Sequence, residues 1–111
     1  MQGKAISKYI RISPSKLRQV IPLIKGKRLD EAENILQMTP KRASYFIHKT
    51  LGSAFANCRM KSPILELKDV WVKEIYANSG PMMKRMKPCA RGRSGRILKK
   101  TSHLTVVVWK K

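Results

Sequence analysis

The chain has 111 residues, room for one domain with one modest core, and its 42% apolar content excludes a wholly disordered polycation. Twenty-five Lys and Arg face six Asp and Glu, a formal charge of +19; a compact domain so charged repels itself, so a polyanionic partner is expected, nucleic acid first and an anionic membrane surface second. No apolar run is long enough to span a bilayer, the opening MQGKAISKYIRI lacks the hydrophobic stretch of a secretory signal, and Cys58 and Cys89 make no disulfide framework, all of which points to a reduced cytosolic compartment.

AISKYIRIS alternates Ile6, Lys8, Ile10 and Ile12 against Ser7, Tyr9, Arg11 and Ser13, which predicts a half-buried strand with Lys8 as a flaw on its inner face. A helix follows, with Ser13 as cap and Pro14 at its first position. Its apolar stripe is Leu17, Val20, Ile21 and Ile24, and Gly26 is its stop. Pro22 cannot donate to the carbonyl of Arg18, so a kink or an early end is expected there. The second helix reads from Asp30, with Glu33 completing a capping box and Ala32, Ile35 and Leu36 facing inward. Thr39 and Pro40 signal a third start, and Ala43, Ile47, Thr50, Leu51, Ala54 and Cys58 hold helical spacing for about five turns. The small residues Ala43, Ala54 and Ala56 allow something to pack closely on that helix.

From Leu65 the period becomes two. Leu65 and Leu67, then Val70 and Val72, then Ile75 and Ala77 alternate with parity slips that predict bulges. ILKKTSHLTVVVWK is β-branched and strand-like. Between these strands runs GPMMKRMKPCARGRSGR, Gly80 to Arg96, with six Lys or Arg and no acid. Ordinary hairpin loops have about two to five residues, so either the arms reach well beyond the core or the tip is a long disordered loop. There is no internal repeat and no linker. The expected fold is α+β: three helices packed on a small antiparallel sheet, with a long extended β-hairpin. It forms a single domain over 1–111, with a globular part of about 1–77 plus 97–111 and a basic arm of about 78–96.

Chemistry-bearing constellations are sparse. Cys58, Cys89, His48 and His103 are scattered without a C-x-x-C pair, so no metal site is expected. Ser102 and His103 are adjacent on a strand and point to opposite faces, which spoils a nucleophile–base pair. No phosphate-cradling Gly motif of the P-loop type is present, and neither an enzyme nor a cofactor is expected. Lys16, Arg18 and Lys25 lie off the first helix's apolar stripe, as either a solvated face or phosphate contacts. For Lys84, Arg85, Lys87, Arg91, Arg93 and Arg96, phosphate contact is favoured over a free cationic tail. Two strands bound them, Pro81 and Pro88 stiffen them, and Gly92 and Gly95 let backbone approach a phosphate closely. Met82, Met83 and Met86 read as soft surface contacts rather than core. The tip has no aromatic residue, which argues against stacking platforms and for recognition of folded RNA by shape and phosphate position. Two alternatives stay open: a free RNA-binding regulator, and a cationic membrane-surface protein. The latter calls for a basic helix face opposite an apolar one, which neither the long helix nor the tip supplies.

GPMMKRMKPCARGRSGRILKKTSHLTVVV resembles the C-terminal hairpin of the large ribosomal subunit protein twenty-two family, bacterial type. The resemblance extends upstream through SPSKLRQV, LIKGK, A-x-x-I-L, the Lys-Arg-Ala start of the long helix and SAFAN, nearly the whole chain. It implies a two-layer α+β body at the subunit surface near the tunnel exit, and a hairpin reaching inward through several domains of large-subunit rRNA. RNA contacts would include Lys16, Arg18, Lys84, Arg85, Lys87, Arg91, Gly92, Arg93 and Arg96, continuing along the tail through Lys99, Lys100, Thr101, Ser102 and His103. The tunnel-side segment would run from Met82 to Arg93, its wall formed by Met82, Met83, Lys84, Arg85, Met86, Lys87, Pro88, Cys89, Ala90 and Arg91. Implied partners are large-subunit rRNA, neighbouring ribosomal proteins, the nascent polypeptide, and macrolide antibiotics near the tip, with no membrane. The implied location is cytoplasmic and ribosome-bound, or an organellar ribosome, with a role in subunit assembly. Two residues depart from the usual pattern: Cys89 stands where relatives commonly carry Arg, and Pro22 interrupts a helix they keep free of proline.

Overall fold

A computed structural model describes residues 2–88 and 94–110. In chain order these form β1 (Gln2–Ile10), α1 (Pro14–Ile24), α2 (Leu29–Met38), α3 (Arg42–Lys61), a 3-10 turn (Leu67–Asp69), β2 (Val70–Ser79), β3 (Met83–Pro88), β4 (Ser94–Lys99) and β5 (Ser102–Lys110). β5 is the centre of an antiparallel sheet of order β1-β5-β2, and β3 pairs with β4 in a separate two-stranded ribbon. The expected α+β architecture of three helices on a small antiparallel sheet with a hairpin is the one found.

The helical stripes are as the sequence predicts. Leu17, Val20, Ile21 and Ile24 of α1 are buried, and so are Ala43, Ile47, Thr50, Leu51, Ala54 and Cys58 of α3. They meet Val70, Val72, Ile75 and Ala77 of β2 and Leu104, Val106 and Val108 of β5, giving one core between two layers. The buried pairs on β2 change parity through a bulge between Val72 and Glu74, the slip that the spacing predicts. α1 ends at Ile24, two residues past the exposed Pro22, and Gly26 takes the left-handed conformation (φ 78°) that a Cβ would oppose.

Four local expectations change. β1 does not keep one parity: Gly3 is buried, Ala5 and Ser7 half-buried, and then a bulge at Lys8–Tyr9 resets the strand so that Ile10 is buried while Ile6 lies on the outer face. α2 begins at Leu29 rather than after an Asp30 cap, because Asp30 turns back to accept from Arg28 Nε (2.9 Å) and Arg28 Nη2 (3.1 Å). The Thr39 hydroxyl donates to the Ile35 carbonyl (2.7 Å) and so belongs to the end of α2, and α3 starts later, at Arg42. Leu65 and Leu67 are not strand: the Glu66 N–H donates to Asp69 Oδ2 (3.2 Å) and the Asp69 N–H to the Glu66 carbonyl (3.0 Å), folding a 3-10 turn.

Close packing on α3 comes from a glycine. A Cβ on Gly3 of β1 would sit 2.6 Å from Cys58 N and 2.7 Å from Cys58 Cβ, so the strand lies directly on the helix at Ala54 and Cys58; Ala56 is exposed and takes no part. Three side chains and one main-chain bond also cover parts of the two sheet edges. Asn57 Nδ2 donates to the Lys4 carbonyl (2.8 Å) and Lys61 Nζ to the Gln2 carbonyl (2.9 Å) on β1. On β2, Arg18 Nη2 donates to the Ala77 carbonyl (2.8 Å), and the Val72 N–H donates to the Lys27 carbonyl (2.9 Å).

Candidate nucleic-acid interface

The β3–β4 ribbon continues the chain direction of β2 and β5 but shares none of their core. β2 and β5 pair out to Ser79–Ser102, and the ribbon resumes at Met83–Lys99 and runs through Pro88–Ser94. Among the described residues, core side chains stop at Ala77 on the outward strand and resume at Leu104 on the return. The molecule measures 64 × 25 × 15 Å with a radius of gyration of 17.0 Å, against about 13 Å for a compact chain of this length. The ribbon's backbone ladder therefore stands in solvent without a hydrophobic layer behind it.

Cross-strand partners share a face, so the register sorts the ribbon's side chains. Met83, Arg85 and Lys99 fall on one face, Lys84 and Leu98 on the other, and all five are exposed. Cations thus point to both sides of the ribbon. Arg85 Nη1 donates to the Lys84 carbonyl (3.0 Å), which leaves most of its guanidinium donors outward. Lys87 and Arg96 occupy paired ribbon positions opposite Gly95 and Met86. Cys89, Ala90, Arg91, Gly92 and Arg93 lie outside the described residues.

The root of the arm is built by hydrogen bonds. The Gly80 N–H donates to the Thr101 carbonyl (2.9 Å), and the Thr101 hydroxyl donates to the Pro81 carbonyl (2.6 Å). The fully buried Ser102 hydroxyl donates to the Ile12 carbonyl (2.6 Å). His103 Nδ1 accepts the Tyr9 N–H (3.1 Å), and the two rings meet edge to face at 5.0 Å. Thr101, Ser102 and His103 are thus engaged in fastening the arm to the body. Arg18 is likewise engaged at the β2 edge through Ala77.

Beside this root the fold gathers a recess of about 310 Å³ walled by Arg11, Lys16, Arg42, Lys99 and Lys100, with Ile12 and Leu98 as its apolar side and no acidic residue. Arg11 Nη1 donates to the Lys100 carbonyl (2.8 Å), tying β1's exit to the arm. Ser13 and Lys16 open α1 and Arg42 opens α3, and neither helix has an acid in its first turn. Two positive helix ends therefore add to five cations around one space. Lys16, Lys99 and Lys100 are sequence-predicted contacts that the fold brings together. Arg11 and Arg42 join them unforeseen; the signal was only that Arg11 falls on the strand's outward parity and Arg42 at a helix start.

The acids sit elsewhere. Asp30, Glu31 and Glu33 are on α2, Glu66 and Asp69 at the 3-10 turn, and Glu74 on β2. The hydrogen-bonded Arg28 guanidinium holds the Asp30 carboxyl below the ordinary carboxylate range. No group of three or more His, Cys, Asp or Glu among the described residues converges as a metal site, and no helix there is long and apolar enough to cross a membrane.

The family model of ribosomal protein L22p/L17e matches residues 5–109. The chain belongs to that family. A large ribosomal subunit protein uL22 from Thermus thermophilus is 50% identical over 111 residues, all of this chain and 97% of that protein. One from Halothermothrix orenii is 47% identical over the same span and coverage. One from Acetivibrio thermocellus is 52% identical over 107 residues, 96% of this chain and 85% of that protein. As a member of the L22p/L17e family the chain is a bacterial-type structural constituent of the large ribosomal subunit, ribosome-bound in the cytoplasm, with rRNA and ribosomal proteins as partners, and it is not an enzyme.

Proposed function

We propose that this chain grips large-subunit rRNA with the acid-free recess at the arm's root, and that the arm threads several rRNA domains to line the nascent-peptide exit tunnel. The observation that carries the reading is the combination of five convergent cations and two helix N-termini beside a coreless basic ribbon with cations on both faces. Phosphate contacts in the recess position the arm; the arm's own cations neutralise backbone along its length. The functional division is a body of about 1–77 plus 97–111 and an arm of about 78–96. RNA contact falls to Arg11, Lys16, Arg18, Arg42, Lys84, Arg85, Lys87, Arg91, Gly92, Arg93, Arg96, Lys99 and Lys100, with Thr101, Ser102 and His103 fixing the root. The tunnel wall is the segment Met82 to Arg91, next to the nascent polypeptide and to macrolide antibiotics, and the chain supports subunit assembly.

Deleting Met83–Arg85 tests the tunnel role. Loss of three residues from β3 is an odd shift, so it turns the remaining side chains to the opposite face against β4 and re-routes the tip. Variant subunits retained through a high-salt wash are expected to show altered arrest-peptide stalling in ribosome profiling and an altered macrolide response. Wild-type behaviour in both assays, with the variant present in the subunit, removes these residues from the wall.

A further inference from the structure

The bulge in β1 carries a feature that the arm and the recess leave unexplained. Lys8 and Tyr9 are inserted between the pairs Ser7–Leu104 and Ile10–Ser102, where His103 alone stands opposite them. Tyr9 is in the left-handed region (φ 59°), the only described non-glycine residue there. A bulky aromatic rarely adopts that conformation, and such outliers persist where the surroundings over-determine them and a site makes use of them. Here the holding contacts are explicit: the Tyr9 N–H donates to His103 Nδ1 at 3.1 Å, and the rings meet at 5.0 Å and 88°. His103 is itself wedged, since a Cβ on Gly80 would lie within 3.4 Å of its imidazole.

Packing does not account for the strained tyrosine. Its residue is 66% exposed, and an edge-to-face contact covers at most one side of the ring. The strain therefore presents a flat aromatic surface to the outside at the arm's root, with a buttress beneath it. The surroundings are cationic. Lys8 shares the bulge and is exposed, Arg11 is bonded to the Lys100 carbonyl, and Lys99 and Lys100 follow on the arm's return. Along the neighbouring sheet the first acid, Glu74, is four pairs away from the Asn78–His103 row, and the other five are in α2 and at the 3-10 turn. An exposed ring amid cations without acids is complementary to a nucleobase on a phosphate backbone, whereas an apolar protein partner would leave those cations facing an uncharged surface.

We propose that Tyr9 is a stacking platform for an unpaired base of large-subunit rRNA at the root of the arm. The inference rests on the reading that the chain binds this rRNA, and it adds aromatic recognition in the body where the arm has none.

The test uses the full chain and large-subunit rRNA. Tyr9→Asn keeps a side chain tolerant of the left-handed conformation but removes the ring, and Tyr9→Phe keeps the ring. Tyr9→Asn is expected to weaken binding about tenfold at fixed salt with an unchanged salt slope, since no charge is lost, while Tyr9→Phe binds as wild type. Base-specific chemical probing of reconstituted subunits should show one unpaired base protected by wild type and by Tyr9→Phe but reactive with Tyr9→Asn. Equal rRNA affinity and equal protection for Tyr9→Asn overturn the platform. So does equal rRNA affinity accompanied by loss of a neighbouring ribosomal protein from the subunit, which would reassign Tyr9 to a protein contact. A wild-type chain with no salt-dependent rRNA binding removes the rRNA reading itself, and the platform with it.

Discussion

Gly80→Ala probes the joint that aims the arm. Gly80 does not have a left-handed backbone, so alanine suits its conformation and only space is at issue. The new Cβ would lie 2.5 Å from Thr101 Oγ1 and 3.3 Å from His103 Cε1. Thr101 cannot move cheaply, because it is β-branched, only 8% exposed and bonded through Oγ1 to the Pro81 carbonyl at 2.6 Å. Turning its hydroxyl away forfeits that bond, at about 1 kcal/mol, and forces an unfavourable rotamer at about 1 kcal/mol more. Reduced freedom of the unfolded chain returns about 0.5 kcal/mol. The net loss of about 1.5 kcal/mol corresponds to a melting-point drop of about 6 °C in a domain of this size. Urea unfolding followed by the fluorescence of Trp71 and Trp109, both in the sheet, reads it directly. In a Thr101→Ala background the hydroxyl is gone, and Gly80→Ala should there cost close to nothing, giving a coupling of about 1.5 kcal/mol. A neutral Gly80→Ala, or one equally harmful in both backgrounds, would refute the account of the joint.

Replacing Lys16 and Lys99 together by Ala should flatten the salt dependence of rRNA binding by about one to two units; an unchanged slope would take the phosphates out of the recess. The depressed Asp30 carboxyl stabilises the fold above its unfolded titration range and loses that contribution as pH falls through its lower folded value. The stability gap between wild type and Asp30→Asn should accordingly be full at neutral pH and close in acid, and a gap independent of pH would contradict the Arg28–Asp30 pairing. Gly26→Ala meets no neighbour within 4 Å, so only its φ of 78° matters, and calorimetry should show a loss of about 1 kcal/mol.

The parts of the fold that were legible are those in which one face of one element meets the core. The α1 and α3 stripes and the parity slip in β2 are carried by runs of buried apolar residues whose spacing has few other readings. β1 was misread because Ile6, Ile10 and Ile12 mimic one face, and nothing in the string Ser-Lys-Tyr-Ile marks a bulge held by a histidine 94 residues away. The helix starts at Asp30 and Thr39 were misplaced because each side chain satisfies a partner other than the expected cap. The arm announced itself by composition. The recess did not, since Arg11, Lys16, Arg42, Lys99 and Lys100 become neighbours only through tertiary contact.

The partly covered edges of the sheet bear on the interval between synthesis and docking. Charge keeps copies of a +19 chain apart at a distance, but salt of cellular strength screens that repulsion beyond about 8 Å. Strand addition between exposed edges acts at shorter range than this, so charge alone would not prevent it. Both outer strands answer with long polar side chains laid on their carbonyls: Asn57 and Lys61 over β1, Arg18 over β2. Two of these three are cations, so a residue type abundant for meeting RNA also serves a chain that has not yet met it. The same side chains thus leave fewer free carbonyls on the body's outer strands for a second copy to pair with.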